Sequence, residues 1–425
     1  MATLGSLGDL HPYLAVGLGL MKRGHDVTVA TAELYRGHVT REGMTFHPMR
    51  PNFDAMASNP EMVRRAFDPH RGAEFYVREL VLPFIEQTHA DLLSACKGAD
   101  LLLIQPTLFT APIVAEMLGL KWLSVFLAPG SLFSAYDPPL LPPVPWLHRL
   151  RGLGPWPQRT SFAAMKIFTR GWTRSVDEIR RRERAQYTSK CALYDDLLSP
   201  YGTLAWYSEV LGAKQVDWPD PSRVTGFPYY VPASTADSMS PALEEFLSSG
   251  DAPVVFTLGS SAVVDPGDFF QQSLDAIQRI GRRAVLLVGK QVSCAQLPSN
   301  PGIFIAEYAP YSELFPRCAA VVHQGGIGTL ACALHAGVPS LIVPRGLDQP
   351  DNAFRARRIG VARVLPRWRY SGARAASHLR ALLDSPQYSV SAQATADRIR
   401  RENGIENACD AIEEVLRQPK LDARN

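Results

Sequence analysis

Short apolar runs, too brief for helices, alternate along this chain with longer stretches whose apolar residues recur at helical spacing. The first alternation opens with Ala2 to Leu4 as the tail of a strand and turns through Gly5-Ser6-Leu7-Gly8-Asp9. It enters a helix at Pro12, a residue suited to a first helical turn. That helix stops at Gly24 after Lys22 and Arg23, and Asp26 to Thr31 follows as a strand. Further strands are expected at Met44 to Pro48, Asp100 to Gln105, Trp122 to Leu127, Leu204 to Ser208 and Val224 to Phe227, with Phe67 to Ala95 and Phe162 to Leu198 helical. A fresh alternation begins at Pro253: a strand to Leu258, a helix from Asp268, strands at Arg283 to Val288 and Gly302 to Ala306, then apolar runs at Ala319 to Val322 and Val338 to Pro344. Two halves, each alternating β and α, predict an α/β chain of two doubly wound, Rossmann-like domains facing a cleft. The first spans 1–228 and the second 243–404, joined by a Pro-, Ser- and Ala-rich linker at 229–242. An amphipathic helix at Glu406 to Arg417 lies in a final segment, 405–425. Only three residues stand between Met1 and Gly5, so the first strand is expected to begin upstream of Met1.

Three turns in this pattern carry chemistry. In His323-Gln324-Gly325-Gly326-Ile327-Gly328-Thr329 a strand bends through glycines into a helix, Leu330 to Ala336. Glycines admit a ligand close to backbone N–H groups, and the helix start adds unpaired donors and a positive dipole end. Thr329 contributes a hydroxyl and His323 a donor, charged or neutral. This is an anion site. The next apolar run leads into Asp348-Gln349-Pro350, on the same carboxyl-end rim if the strands are parallel neighbours. A carboxylate repels phosphate, so Asp348 and Gln349 suit neutral hydroxyls, the acid accepting and the amide both accepting and donating. A diphosphate bearing a polyol fits both turns; the alternative is a plain tight turn with Asp348 capping a helix. In Gly259-Ser260-Ser261, N–H and hydroxyl groups either meet phosphate or only cap a helix. From the first domain, Asp9 and His11 reach the same crevice.

Composition narrows the partners. Forty-four Lys plus Arg against 41 Asp plus Glu, a net charge of +3, gives no nucleic-acid footprint. A hydrophobic fraction of 46% with 20% charged residues is that of an ordinary globular chain. The six cysteines, Cys96, Cys191, Cys294, Cys318, Cys332 and Cys409, lack metal-ligand spacing and read as reduced core residues of a cytoplasmic protein. No apolar run is as long as a membrane span, and no basic stretch followed by an apolar one opens the chain; a peripheral contact at the inner membrane face stays open. Asp137 to Gln158 is dense in proline and carries Trp146 and Trp156, as a lid, a binding wall or a plain connecting loop. Arg180, Arg181, Arg182 and Arg184 read as a solvated charged face. Neither glycine turn is a dinucleotide fingerprint, and no P-loop lysine follows the glycines. With no D-x-D pair to hold a metal, the charge of a diphosphate falls to N–H groups, helix dipole and His323, so neither a metal nor a bound cofactor is expected.

These residues resemble the inverting nucleotide-sugar glycosyltransferases of the GT-B fold across nearly the whole chain. The resemblance rests on the G-S-x-G-D-x-x-P opening, Tyr308-Ala309-Pro310, H-x-G-G-x-G-T and D-Q-x-x-N-A at Asp348 to Ala353. Asp217-Trp218-Pro219 and Thr225-Gly226-Phe227-Pro228 are similar to the bacterial sterol-glucosyltransferase-like and rhamnolipid rhamnosyltransferase-like branch of the UDP-glycosyltransferases. The resemblance implies that His323, Gly325, Gly326, Gly328 and Thr329, with Gly259 and Ser260, hold the diphosphate. It assigns Asp348 and Gln349 to the sugar and Tyr308 with the Ala309 backbone to the base, and packs the final helix back on the first domain. Asp9 becomes the general base, with His11 the competing candidate; an aspartate in that role requires burial or apolar neighbours such as Leu7 and Leu10 to raise its pKa.

The chain departs from plant relatives in two places. Ala331 stands where many carry a ribose-binding glutamate, so UDP against dTDP stays open, and Gln105-Pro106-Thr107 stands where an aspartate would support a catalytic histidine. The implied reaction moves a hexose or deoxyhexose from a UDP- or dTDP-sugar to a hydroxyl of a small hydrophobic or lipid-like acceptor. The alternatives are a non-catalytic partner subunit of the same fold and a nucleotide-sugar epimerase. Phe126, Phe133, Tyr136 and Trp146 would suit a lipid or a flat aromatic aglycone, and core packing accounts for them equally well. Acceptor identity and oligomeric state are not written in the sequence.

Overall fold

The computed structural model describes residues 1–53, 59–185, 191–231, 239–290 and 300–420. In the first domain β1 (Thr28–Thr31) pairs in parallel with β2 (Thr45–Pro48), and β3 (Leu101–Ile104), β4 (Lys121–Phe126), β5 (Thr203–Ala205) and β6 (Ser222–Val224) form a second parallel ribbon in sequence order. Ala2 bridges Ala30 on one side and Ile104 on the other, so the amino-terminal segment joins the two ribbons side by side. In the second domain β7 (Val254–Thr257), β8 (Ala284–Leu287), β9 (Ile303–Ala306), β10 (Ala320–His323), β11 (Ser340–Ile342) and β12 (Ala362–Val364) lie in the order 12-11-10-7-8-9, every pair parallel. The chain order reverses between β7 and β10, and open α/β sheets hold ligands at such a switch point. Val254, Phe256, Ala320, Val322 and Leu341 are buried, because helices cover both faces of a parallel sheet.

Helix α1 (Leu7–Lys22) starts five residues before Pro12, not at it. A reciprocal cap explains the earlier start: the Ser6 side chain accepts from Gly8 N, and the Asp9 side chain accepts from Ser6 N. The expected helix over Phe67 to Ala95 is broken: a short turn at Gly72–Phe75, a π-helical stretch at Tyr76–Val81 and a 3-10 turn around Pro83 precede the regular helix Ile85–Ala95. The expected helix over Phe162 to Leu198 begins at Trp156, tightens at Arg170–Thr173, and ends at Arg182, with only a 3-10 turn at Asp195–Leu197 beyond it among the described residues. Arg180 is a correction to the solvated charged face, since it is buried and paired with Asp177 and Asp196, each at 3.0 Å. The strand read at Val224 to Phe227 lies earlier, at β6. β12 and the helices Gly372–Leu383 and Pro386–Ile399 carry no strong pattern and were not anticipated. The five described cysteines are free thiols; Cys294 and most of the linker lie outside the described residues.

Helices α2 (Ile327–Ala336) and α3 (Gln349–Arg358) follow the second domain's functional turns, and α4 (Gly404–Arg417) crosses to the first domain. Ala408, Cys409, Ile412 and Val415 of α4 enter the first domain's core, and Arg23 at the end of α1 pairs with Asp410 at 2.6 Å and Glu413 at 3.3 Å. The buried Lys121 ammonium donates to Val415 O at 3.0 Å and Leu416 O at 2.7 Å, where the helix dipole favours a cation. The domains are also tied by the proline-rich segment. Asp137 accepts from the buried Arg355 and from Arg358, and Leu140 N donates to Asp351 at 2.8 Å. The segment is therefore fastened to the second domain rather than a free loop.

Candidate active site

His323 ends β10 and is fully buried. Its Nδ1 accepts the Gly325 N–H at 3.1 Å, which places the ring proton on Nε2. Nε2 is buried and has no partner among the described residues, so a donor points at a space where an acceptor belongs. Burial pushes the imidazole pKa down to about 3, so this donor is neutral, which resolves the charged-or-neutral alternative for the free protein. Gly325 has φ +89°, and a Cβ there would lie 2.8 Å from Ile342 Cγ2; at Gly326 it would lie 2.8 Å from Gln324 Nε2. Gly325 is demanded by its backbone and its crowding, whereas at Gly326 the Gln324 amide could swing aside. Gly326 caps α2 without a side-chain bond, leaving the first N–H groups of a ten-residue helix free for a ligand. Gly259 has φ +67°, and a Cβ there would run into the Gln324 amide and stand 3.4 Å from Thr329 Oγ1, so the Gly259-Ser260 turn lies beside the histidine turn, with Ser260 exposed at its edge. The opposite wall is the first domain: a Cβ on Gly328 would stand 3.7 Å from Gly8 Cα.

Asp348 occupies the cap position of α3 but makes no capping bond, which removes the plain-cap alternative for its side chain. It accepts instead from Asn352 Nδ2 at 2.7 Å, and that amide also donates to Gly325 O at 3.0 Å, binding the two rim turns together. Burial raises the Asp348 carboxyl to about 7; the Asn352 bond opposes the shift, and the negative charge of Asp9 adds to it. The next residue differs from expectation. Gln349 Oε1 is spent on Arg345 N at 3.0 Å, so its amide nitrogen, not both ends, is left for a ligand. Leu347, between them, has φ +56°, an unusual conformation for a branched side chain and a mark of a constrained site loop. Tyr308 is 60% exposed beside buried Ala309.

Across the cleft, Asp9 Oδ2 accepts from Ser6 N at 2.7 Å and Ser6 Oγ at 3.0 Å, while Oδ1 accepts from Gln105 Nε2 at 2.8 Å. Desolvation raises its pKa, and these three bonds hold the rise back. Gln105 is itself fixed: its Oε1 accepts from Thr3 Oγ1 at 2.8 Å and Leu4 N at 3.0 Å. His11, two residues on, faces elsewhere, its ring 4.8 Å from that of Tyr230 at the start of the linker. The structure thus brings Asp9, Asp348 and the His323 turn to one cleft and turns His11 toward the linker. The reading from sequence gave no role to Gln105, Gln324 or Asn352. Asn352 could have been found from its spacing of one helical turn after Asp348; the partnership of Gln105 with Asp9 depends on two distant strand ends meeting.

Two parallel-sheet domains that meet at a glycine-rich helix start have the architecture of the GT-B glycosyltransferases, and the comparisons with known proteins agree. Residues 1–136 match the glycosyltransferase family 28 N-terminal domain, and residues 271–413 the C-terminal domain of erythromycin biosynthesis protein CIII-like proteins. The chain is 32% identical over 423 residues to an O-mycaminosyltylonolide 6-deoxyallosyltransferase of Streptomyces fradiae, covering 97% of this chain and 96% of that one. It is 26% identical to a sterol 3-beta-glucosyltransferase of Debaryomyces hansenii, over 97% of this chain and 26% of that protein, so it spans about a quarter of that relative. Among solved structures, a calicheamicin glycosyltransferase superposes with a TM-score of 0.72 at 17% identity, covering 97% of this chain and 96% of that one. The kitacinnamycin enzyme gives 0.70 at 20% identity, over 98% and 97%. This chain belongs to the UDP-glycosyltransferase superfamily, with sterol glucosyltransferase-like proteins among its relatives.

Proposed function

We propose that this protein moves a hexose or deoxyhexose from a UDP- or dTDP-sugar to a hydroxyl of a small hydrophobic or lipid-like acceptor, with inversion and without a metal. The observation that carries this reading is the pairing, across one cleft, of a desolvated carboxylate at Asp9 with an unpartnered, neutral His323 N–H at a helix start. Asp9 takes the acceptor's hydroxyl proton while that oxygen attacks the anomeric carbon. The bond to the diphosphate breaks on the opposite face, and the charge gathering on the leaving oxygen is met by His323 Nε2–H and the α2 N–H groups. These neutral donors replace a metal in that role. Asp348 and the Gln349 amide nitrogen hold sugar hydroxyls, and Tyr308 stacks on the base. The S. fradiae relative's name, a deoxyhexosyl transfer, supports a deoxyhexose donor, and the sterol enzymes support an apolar acceptor.

The test is turnover of UDP-glucose, dTDP-glucose and dTDP-rhamnose against sterol and polyketide acceptors, with the product anomer assigned by NMR. Asp9→Asn should lower kcat by about 10²- to 10⁴-fold while leaving UDP or dTDP affinity intact. A variant with near-normal turnover would remove Asp9 as the base. Donor conversion without acceptor would support the epimerase instead, and a folded protein that binds no nucleoside diphosphate would support the partner-subunit reading.

A further inference from the structure

The helix Trp156–Thr169 is inside out. Its inward side carries Gln158 and Thr169, both buried; the Gln158 amide is held by Leu147 O at 3.0 Å, and the Thr169 hydroxyl bonds Met165 O at 2.8 Å. Its outward side carries Trp156, 74% exposed, Ile167, 78%, and Phe168, 77%, with small exposed Ala163 and Ala164 between them at helical spacing. Leu153, in the turn just before, is 72% exposed. Single exposed apolar residues are ordinary on a protein surface, but large ones gathered on one helix face are not.

The chain segment that carries this face is basic. From 138 to 176 the chain contains no Asp or Glu and six basic residues, Arg149, Arg151, Arg159, Lys166, Arg170 and Arg174. Arg151 and Lys166 are engaged, with Asp137 at 3.3 Å and Asp195 at 2.5 Å. Arg149, Arg170 and Arg174 are exposed and make no ion pair among the described residues, and exposed Arg159 lies over the Tyr136 ring. A convex apolar face of Trp, Ile and Phe rimmed by arginines has the composition of a helix lying in a membrane interface. The rings and aliphatic chains enter the acyl boundary, and the guanidinium groups meet anionic headgroups.

We propose that this face docks the protein on an anionic lipid surface. The inward side of the same helix supports the first domain's cleft loop: Phe162 stacks on Phe133 with ring centroids 5.3 Å apart, and Phe133 follows β4. Docking there sets the cleft-side loop of the first domain beside the lipid surface from which an apolar acceptor can be drawn.

The test is co-sedimentation of the full chain with sucrose-loaded vesicles of phosphatidylcholine alone or of phosphatidylcholine with phosphatidylglycerol at roughly 7:3. Binding is expected to the anionic vesicles and not to the neutral ones, and to weaken with salt. The exposed-residue variant Trp156→Ser/Ile167→Ser/Phe168→Ser should lose more than about tenfold in partitioning, and Arg159→Gln/Arg170→Gln/Arg174→Gln should lose the preference for anionic lipid. Both should keep the wild-type circular dichroism melt, since the changed side chains are exposed. No binding to anionic vesicles, or equal binding by the apolar variant, overturns the proposal. So does a self-association that the apolar variant abolishes, which would make a second copy the occupant. Vesicle binding is read without turnover, so its outcome is separate from that of the glycosyl-transfer reading.

Discussion

Gln105→Glu changes one amide nitrogen to an oxygen at the point where Gln105 Nε2 meets Asp9 Oδ1 at 2.8 Å. The remaining oxygen can still accept from Thr3 Oγ1 and Leu4 N, so the strand end that Gln105 anchors keeps its bonds. Only the environment of Asp9 changes. A hydrogen bond to a charged group is worth about 1.5–3 kcal/mol, and losing it raises the Asp9 pKa beyond the rise that burial already causes. A second carboxylate at that separation adds like-charge repulsion, so the pair shares a proton and the Asp9 pKa rises again. The sign follows from the chemistry. The proposed base works ionised, its rate is lost as pH falls through its pKa, and raising that pKa moves the acid limb of kcat/KM to higher pH. The variant should lose rate on the acid side, recover as pH rises, and bind UDP or dTDP as wild type does. The assay is a pH profile of kcat/KM with calorimetric nucleotide binding beside it. A uniform loss at every pH would assign Gln105 a purely structural role. A profile superimposable on wild type would refute Asp9 as the titrating base.

Four further predictions address the second domain. His323→Ala removes the unpartnered Nε2–H and should weaken nucleoside diphosphate binding by about 1–3 kcal/mol, roughly 5- to 150-fold in Kd by calorimetry; unchanged affinity removes the anion site. In the free protein the same imidazole should show no NMR titration between about pH 5 and 8, because burial holds its pKa near 3. Asp348 has a folded pKa raised to about 7 from the ordinary 3.8, so between those values the folded state keeps a proton that the unfolded chain has released. Its contribution to stability therefore falls as pH rises through that window, and Asp348→Asn should gain stability relative to wild type from about pH 4 to pH 7 in urea melts, while binding sugar nucleotide more weakly than the bare diphosphate predicts. Arg355→Ala leaves Asp351, bonded at 2.7 Å, and Asp137 without their buried cation and should cost about 3–5 kcal/mol of unfolding free energy; a loss under about 1 kcal/mol would show that the clamp between the proline-rich segment and α3 is loose.

Much of the fold was legible because parallel strands buried on both faces print themselves as continuous apolar runs, as at Val254–Thr257 and Ala320–His323. β12 was not legible: Ala-Arg-Val is too short and too polar to stand out, and only pairing with β11 makes it a strand. The broken helix before Ile85 and the early end at Arg182 were hidden for a related reason. Periodicity survives a π-helical stretch or a 3-10 turn, whereas the backbone bonds do not. At the site, sequence pattern located His323, its glycines, Asp348 and Asp9, since each lies in a turn whose residues act on near neighbours. It could not orient them. His11 and Asp9 are two residues apart, yet one faces Tyr230 and the other Gln105, and the difference is set by tertiary partners that no local spacing encodes.

The charge arrangement of the cleft explains how a diphosphate could sit between two carboxylates without a metal. Arg345 is the basic side chain nearest Asp348 in sequence, and it is committed elsewhere, donating to Asp265 O and to Pro266 O at 3.1 Å. His323 is neutral. No full positive charge from these two groups therefore meets the diphosphate, and the burden falls on oriented N–H groups, which cost no reorganisation when charge develops. Two ionised carboxylates beside such an anion would cancel much of that benefit. Burial and the charge of Asp9 together lift Asp348 to about 7, so near neutral pH a proton resides there for much of the time, and an arriving diphosphate favours it further. Desolvation raises Asp9 as well, and its three hydrogen bonds from Ser6 and Gln105 hold that rise back in favour of the ionised form that a base requires. Under the proposed reaction, then, the two aspartates divide their work through environment: the one bonded by Ser6 and Gln105 has three donors that favour its charged, proton-accepting form, and the one bonded by Asn352 and lifted to about 7 takes a proton so that sugar and phosphate can approach.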